Sequence, residues 1–190
     1  IVAQLQSFGC DAMGMTGADG NAIKAHKRIA AVDYGFVGDI DEVNSELLHT
    51  LLQMNDAVVL APITHDGNGQ LLNTNADTIA QETAKAMSGL YEVELIYSFE
   101  KAGVLLDVNN DESVVPLINA ETYEQLKAQG KIFAGMLPKL DNAFAAIKNG
   151  VKKIVIGKAE DLQFLMNGSK GTSIIGEFNN TPFGDEGNNE

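Results

Sequence analysis

The sequence predicts an α/β protein, a three-layer αβα sandwich around a mainly parallel sheet. Stretches typical of strands alternate with stretches typical of helices over the whole ordered length. The segment DAVVLAPI at 56–63 contains a continuous apolar run, which is typical of a strand covered on both faces. No internal repeat or domain linker interrupts the pattern. Residues 1–176 are therefore expected to form one domain, and the polar residues 177–190 a disordered tail.

The first half of the chain is predicted to contain, in order, the end of a helix (IVAQLQS), a short buried strand (CDAMGM), a glycine-rich turn (TGADGN) and an extended, turn-rich segment (VDYGFVGDID). A helix over 42–54 follows because apolar residues recur at helical spacing, namely Val43, Leu47, Leu48, Leu51 and Leu52. After the strand in DAVVLAPI, the Asp-Gly and Asn-Gly pairs of THDGNGQLLN predict a hairpin.

The second half opens with a helix after Asp77, whose predicted inner face carries Ile79, Ala80, Thr83, Ala84 and Met87. The remaining elements begin with a strand (VELIYSF), followed by a turn, a short extended piece and a polar loop within AGVLLDVNNDES. After these come two helices (ETYEQLKAQG and PKLDNAFAAIKNG), a strand (VKKIVIG), a short helix (EDLQFLMNG) and a last extended piece (KGTSII). Glycine at the ends of both longer helices is a typical stop signal.

Composition excludes several classes of function. The chain carries 26 acidic and 13 basic residues, a net charge of −13, which argues against a nucleic-acid surface. It contains no apolar run long enough to span a membrane, and its first residues lack signal-peptide features, so a cytoplasmic location is expected. Cys10 is the only cysteine, and the three histidines lack ligand spacing, so no metal site is predicted.

Three polar side chains alternate just before the helix predicted after position 77. These are Asn73, Asn75 and Asp77 in LLNTNADTIA. Asn75 could cap the helix, with Asp77 in its favourable first turn, but capping does not explain Asn73. Alternate residues of an extended segment share a face, so the three could instead converge on a polar substrate at a strand end. The residues alone leave both interpretations open.

Lys139 is predicted in the first turn of a helix, which is the unfavourable end of the helix dipole for a cation. The preceding GKIFAGMLP contains glycine, which lets backbone approach a ligand closely. A lysine beside free backbone N–H groups would suit an anion such as phosphate. A solvated surface lysine is the alternative.

Two glycine-containing loops are weaker indications of a site. GMTGADG, at 14–20, matches neither the dinucleotide-binding fingerprint nor the Walker A motif, so it is interpreted as a tight turn. SFEKAG, at 98–103, follows a buried strand; such a loop can border a pocket or simply turn the chain.

Taken together, these segments and their order resemble the acetylglutamate kinase family, whose members have the amino-acid kinase fold. The resemblance runs from Ile1 to about Ile175. It is carried by NxNAD at 73–77 and GMxxK at 135–139, together with the segments GMTGADGN, YGFVGDID, LIYSFEKAGVLLD, GKIFAGMLPKLDNAFAAIKNGV and the final GTSII.

The resemblance implies an enzyme that uses ATP and magnesium to phosphorylate the side-chain carboxylate of N-acetyl-L-glutamate, a step of arginine biosynthesis. Lys139 resembles the lysine that stabilises the transferring phosphoryl group, and Asp77 the aspartate that orients catalytic lysines. Asn73 resembles the asparagine that binds the substrate's α-substituents, and Asn75 is expected to support it. Nucleotide-binding positions implied by the resemblance are Ser98, Phe99, Glu100, Lys101, Gly103, Val104, Leu105, Lys131, Ile132 and Phe133.

The chain departs from the family pattern in two ways. The family begins with a strand bearing Lys-x-Gly-Gly, a second glycine-rich loop and a substrate-binding arginine, none of which is present here. The chain is therefore expected to lack N-terminal strands and, by itself, to be inactive. In addition, Phe99-Glu100 stands where family members often carry Asp-Val.

The second departure, with THDGNGQLLNTNAD, resembles the Bacteroidetes branch, some of whose enzymes use N-succinyl-L-glutamate. That substrate is the alternative, as is a non-catalytic relative that binds an amino acid or nucleotide. The resemblance also implies a homo-oligomer, with a homodimer as the expected form.

Overall fold

The computed structural model of the chain describes residues 1–133 and 135–176. The tail expected at 177–190 lies outside the described residues. The strands are β1 (Ala12–Thr16), β2 (Ile23–Lys27), β3 (Gly38–Val43), β4 (Ala57–Ala61), β5 (Ile63–His65), β6 (Leu71–Asn73), β7 (Glu94–Phe99), β8 (Leu117–Ile118), β9 (Lys153–Lys158) and β10 (Thr172–Ile175). The helices are α1 (Val2–Ser7), α2 (Ser45–Met54), α3 (Ala76–Met87), α4 (Ala120–Ala128), α5 (Leu137–Lys148) and α6 (Leu162–Met166).

The strands form mixed sheets. One has the order β7-β9-β10-β8, a second has the order β3-β2-β5-β6, and β1 pairs with β4. Pairing is parallel for β1–β4, β7–β9, β8–β10 and β2–β5, and antiparallel for β9–β10, β2–β3 and β5–β6. Helices follow groups of one to three strands along the chain and cover the sheets, so the predicted α/β class is confirmed.

Strand β9 shows how helices cover both faces of its sheet. Ile154 and Ile156 are buried in one core cluster with Leu140 of α5. Successive strand residues point to opposite faces, and Gly157 accordingly lies against Leu165 of α6, where an added Cβ would overlap that side chain. The sheet that contains β7 and β9 is therefore the middle layer between α5 and α6.

A second core lies between the other strands and helices α2 and α3. Its buried members are Met15, Ala22, Ile23, Leu48, Ile79 and Met87. Helix α3 contributes to both cores, because Ala84 belongs to the first cluster and Ile79 and Met87 to the second. Helix α3 therefore packs against both core clusters, and the candidate site lies at its first turn.

The hairpin predicted in THDGNGQLLN is present as the antiparallel pair β5–β6. The helix predicted over 42–54 begins later, at Ser45, because the side chain of Asn44 accepts a hydrogen bond from the Leu47 amide and so caps it. Strand β2 was not predicted. None of the helices in the described residues combines the length and apolar character that crossing a membrane needs.

Candidate active site

The segment that leads into α3 is fixed by a buried threonine between its asparagines. Thr74 is 3% exposed, and its hydroxyl lies 2.9 Å from that of Thr64 and donates to the Gly38 carbonyl at 3.2 Å. Leu72 is buried as well, so the alternation of an extended chain leaves Asn73 and Asn75 on the exposed side. The packing of Leu72 and Thr74 therefore determines the direction of the side chains of Asn73 and Asn75.

Asn75 caps α3. Its side-chain oxygen accepts a hydrogen bond from the Thr78 amide at 3.1 Å, which satisfies one of the free N–H groups of the first turn. Asp77 lies in that first turn, where the helix dipole favours a carboxylate. Helix capping and the helix dipole thus account for the sequence positions of Asn75 and Asp77. The Asp77 side chain is more than half exposed.

Lys139 lies in the first turn of α5, directly after Pro138, the second residue of this helix. Its Nζ lies 3.4 Å from Oδ2 of Asp77 and 4.1 Å from the ring centroid of Phe99. No side chain of the described residues caps α5, so first-turn N–H groups of this helix stay available beside Lys139. The lysine is thereby held where an anion would meet both its charge and the positive end of the helix.

A cavity of about 170 Å³ separates the first turns of α3 and α5. We call it the α3–α5 cavity; its lining consists of Asn75, Asp77, Thr78, Gln81, Tyr97, Pro138, Lys139 and Asn142. The structure therefore brings together Asn75, Asp77 and Lys139. Asn73 is absent from this lining. It is the last residue of β6, and its backbone N–H donates to the Phe36 carbonyl at 2.7 Å.

Two residues that sequence reasoning missed connect the walls of this cavity. The Tyr97 hydroxyl donates a long hydrogen bond, 3.4 Å, to the Asp77 carbonyl. Gln81 donates from Nε2 to the Asn142 carbonyl at 3.3 Å and so joins α3 to α5. Tyr97 could have been found from strand periodicity, since it lies two residues before Phe99 and must share its face.

The environment of Tyr97 keeps its phenol neutral. Burial raises the pKa of Tyr97 to about 12, and the nearby carboxylates of Asp77 and Glu82 add to the effect. The phenol is therefore a hydrogen-bond donor throughout the physiological range.

A second cavity, of about 190 Å³, lies beside the loop that follows β7. We call it the loop cavity; it is lined by Phe99, Glu100, Lys101, Gly103, Val104, Leu105, Val108, Phe133, Gly135 and Met136. Most of this lining is apolar, with two aromatic rings, one lysine and one glutamate. Such a surface suits a flat, partly apolar ligand that carries negative charge at one end.

The loop that forms this cavity is anchored on β10. The Val104 amide donates to the hydroxyl of Thr172 at 2.8 Å, and Thr172 is fully buried. Gly103 lets the two segments approach, since an added Cβ would lie 2.7 Å from the Thr172 hydroxyl oxygen. Lys101 is held across the loop by donation to the Val108 carbonyl at 3.2 Å.

The remaining residues assigned by the resemblance have different surroundings. Ser98 is exposed on β7, and Lys131 is exposed after α4. Ile132 is 7% exposed and belongs to the core cluster of α5. These three are absent from the lining of the loop cavity, whereas Phe133 is part of it.

The two cavities meet at the contact between Lys139 and Phe99. Phe99 lines the loop cavity, and Lys139 lines the α3–α5 cavity. A cation at the junction of two cavities can neutralise charge on a group that passes from one ligand to another. The arrangement therefore suits the transfer of an anionic group between two bound molecules.

Comparison with known proteins gives consistent matches. Residues 1–158 match the model of the amino acid kinase family. The acetylglutamate kinase of Phocaeicola vulgatus is 51% identical over 175 residues, which cover 92% of this chain and 66% of the relative. That of Bacteroides fragilis is 55% identical over 157 residues, which cover 82% of this chain and 60% of the relative. The chain thus spans about three fifths to two thirds of the length of these two relatives.

A solved structure shares the fold. The N-acetylglutamate synthase of Neisseria gonorrhoeae, complexed with coenzyme A and N-acetyl-glutamate, superposes with a TM-score of 0.72 over 93% of this chain and 44% of its own. Its sequence identity is 19%. At that level the likeness shows the architecture alone.

Proposed function

The chain belongs to the amino acid kinase family, and from that membership we propose that its protein transfers the γ-phosphoryl group of ATP to the side-chain carboxylate of N-acetyl-L-glutamate. The observation that carries the proposal is the position of Lys139, 3.4 Å from Asp77 and at the junction of the two cavities. The names of the relatives that are about half identical to the chain support the choice of substrate.

Phosphoryl transfer demands positioning and charge stabilisation more than covalent chemistry. Lys139 supplies a positive charge at the N-terminus of α5, where backbone N–H groups add to it. Asp77 holds the ammonium through its carboxylate, and its own place is fixed because Asn75 caps the same helix. Lys139 and Asp77 are therefore the proposed catalytic pair.

The nucleotide is proposed to bind in the loop cavity. Its apolar and aromatic lining, which includes Phe99, Phe133 and Met136, suits a purine base. Lys101 lies at the same cavity and suits a phosphate. In the described part of the chain, no group of three or more His, Cys, Asp or Glu side chains is placed to hold a metal ion. Magnesium is therefore proposed to bind together with the nucleotide, mainly through the phosphates.

The acceptor is proposed to bind in the α3–α5 cavity. Asn75 and Asn142 offer amide groups there, and Asp77 a carboxylate, which together suit a polar amino-acid derivative. Asn73 is proposed to contact the α-substituents from the neighbouring end of β6. The cytoplasmic location and the homodimer stay predictions.

The proposal is tested on the product of the complete reading frame that contains this chain. It is assayed with ATP and magnesium, with N-acetyl- and N-succinyl-L-glutamate in parallel, and the acyl phosphate is trapped with hydroxylamine. We expect trapped product with N-acetyl-L-glutamate and a loss of roughly 100-fold or more in kcat for Lys139→Met. Lys152→Met is the matched control, because Lys152 pairs with Glu92 away from both cavities.

A preference for N-succinyl-L-glutamate would correct the proposed substrate but would leave the proposed reaction, phosphorylation of the side-chain carboxylate, unchanged. A folded protein that binds ATP and yields no acyl phosphate with either compound would contradict the kinase proposal and favour a binding relative.

A further inference from the structure

Phe99 is the last residue of β7, and its ring faces the ammonium group of Lys139. Nζ lies 4.1 Å from the ring centroid, well inside the roughly 6 Å range of a cation–π contact. We propose that Phe99 is a positioning residue, whose ring holds the Lys139 ammonium at the junction of the two cavities without neutralising it. The kinetic consequence rests on the proposed kinase function, whereas the contact itself can be tested without it.

The ring complements what Asp77 provides. The Asp77 side chain is 55% exposed, so water and salt screen its attraction for Lys139. Phe99 is half-buried and packs against the core cluster of α5. A partner that is fixed by packing restrains the lysine more firmly than an exposed carboxylate does.

The uncharged ring also leaves the full charge of Lys139 available. A carboxylate at position 99, such as the Asp that family members often carry there, would instead form a second ion pair with the lysine. The ring attracts the cation through its quadrupole and adds no negative charge. Phe99 therefore fits a lysine whose charge must act on a third group.

Two other lysines of the described residues contact aromatic rings, and both serve as comparisons. Lys170 lies 4.8 Å from the ring centroid of Phe164, and Lys127 lies 5.1 Å from that of Tyr123. Neither contact borders the α3–α5 cavity or the loop cavity. The contact of Lys139 is the shortest of these three and the one that joins the two cavities.

The position of Lys139 is measured by NMR after reductive ¹³C-methylation of lysines, with the Lys139 signal assigned from Lys139→Arg. We expect methyl protons shifted upfield by the ring current of Phe99. The shift should disappear in Phe99→Leu, persist in Phe99→Tyr and be unaffected by Phe164→Leu, the matched control at the other pair. A Lys139 signal at the position of fully exposed lysines in the parent protein would overturn the proposal.

The same variants are then compared in the kinase assay. Phe99→Leu loses the ring face, so kcat should fall roughly 2- to 30-fold. The fall is measured at saturating ATP, because Phe99 also lines the loop cavity proposed for the nucleotide. Phe99→Tyr should restore kcat. Equal losses in the Leu and Tyr variants, or an unchanged kcat in Phe99→Leu, would contradict a positioning role. If the parent protein makes no acyl phosphate, the kinase proposal fails and the NMR result still decides whether the ring holds the lysine.

Discussion

The phenol of Tyr97 lies between β7 and the first turn of α3, where its hydroxyl reaches the Asp77 carbonyl. Periodicity places Tyr97 and Phe99 on the same face of β7, so one aromatic residue faces Asp77 and the next faces Lys139. Helix-end chemistry left the roles of Lys139 and Asp77 open in the sequence, and the family resemblance implied them. Sequence reasoning missed Tyr97, because one aromatic residue in a strand is usually explained by the core.

The raised pKa of Tyr97 predicts an alkaline dependence of stability. The folded protein holds this proton more tightly than the unfolded chain, whose tyrosine pKa is about 10. The resulting stabilisation is complete below that value and is lost as the pH rises to about 12. In urea unfolding between about pH 9 and pH 11, Tyr97→Phe should therefore lose stability less steeply than the parent. Tyr34→Phe, at an exposed position, is the control, and identical slopes in all three proteins would contradict the prediction.

Asn75 allows the capping and recognition interpretations to be separated at a single residue. Asn75→Ala should lower the free energy of unfolding by about 1 kcal/mol, because the Thr78 amide loses its acceptor. Asn75→Asp keeps an acceptor and should keep most of that stability, yet it lacks the amide donor facing the α3–α5 cavity. We expect the KM for the acylglutamate to rise in Asn75→Asp, measured beside its melting temperature. A stable Asn75→Asp variant with unchanged kinetics would leave capping as the only role.

At the scale of elements, the loop after β7 depends on a close approach to β10. The loop begins within SFEKAG, at 98–103, whose glycine allowed either a pocket border or a simple turn. The structure shows the packing reason for Gly103, because Thr172 lies against it and the Thr172 hydroxyl oxygen accepts a hydrogen bond from the Val104 amide. Thr172 is 69 positions further along the chain, and local sequence patterns carry no information on such a contact.

Replacing Gly103 by alanine should therefore be destabilising. The new Cβ would lie 2.7 Å from the Thr172 hydroxyl oxygen and 3.1 Å from its backbone nitrogen, so the loop must shift at a cost of about 1–3 kcal/mol. Gly89→Ala is the matched control, since its Cβ would meet only the Ala86 carbonyl at 3.8 Å. Both free energies of unfolding are measured in urea. A neutral Gly103→Ala, or an equally large loss in Gly89→Ala, would contradict this explanation.

Strand prediction succeeded where the pattern was long and apolar, as in β4, β7 and β9. It failed for β2, whose segment IKAHK buries only Ile23 and Ala25 and otherwise reads as polar. Whether neighbouring strands pair in parallel or antiparallel was harder still to predict from the sequence. β10 runs antiparallel to β9 and parallel to β8, and such pairing follows from the path of the chain rather than from residue periodicity.

At the scale of the whole molecule, two core clusters are linked through α3 and through Val93, which packs against both. We expect the described domain to unfold in a single transition for that reason. Leu140→Ala in the first cluster and Leu48→Ala in the second should each lower the free energy of unfolding by about 2–5 kcal/mol. Each should also lower the midpoint temperature of that single transition. Leu162→Ala, at a position that is 46% exposed, is the control. Calorimetry that resolves two transitions, each shifted by one variant, would contradict the expectation.

The most direct test of the central claim is a single-turnover measurement, because it separates the chemical step from binding. The full reading-frame product, in excess over γ-labelled ATP and with magnesium, is mixed with saturating N-acetyl-L-glutamate, and label transfer is followed in the parent and in Lys139→Met. We expect the rate constant to fall roughly 100-fold or more while the dissociation constant for ATP stays within about threefold. A Lys139→Met enzyme that transfers the label at the parental rate would contradict the assignment of Lys139 as the cation that stabilises the transferring group.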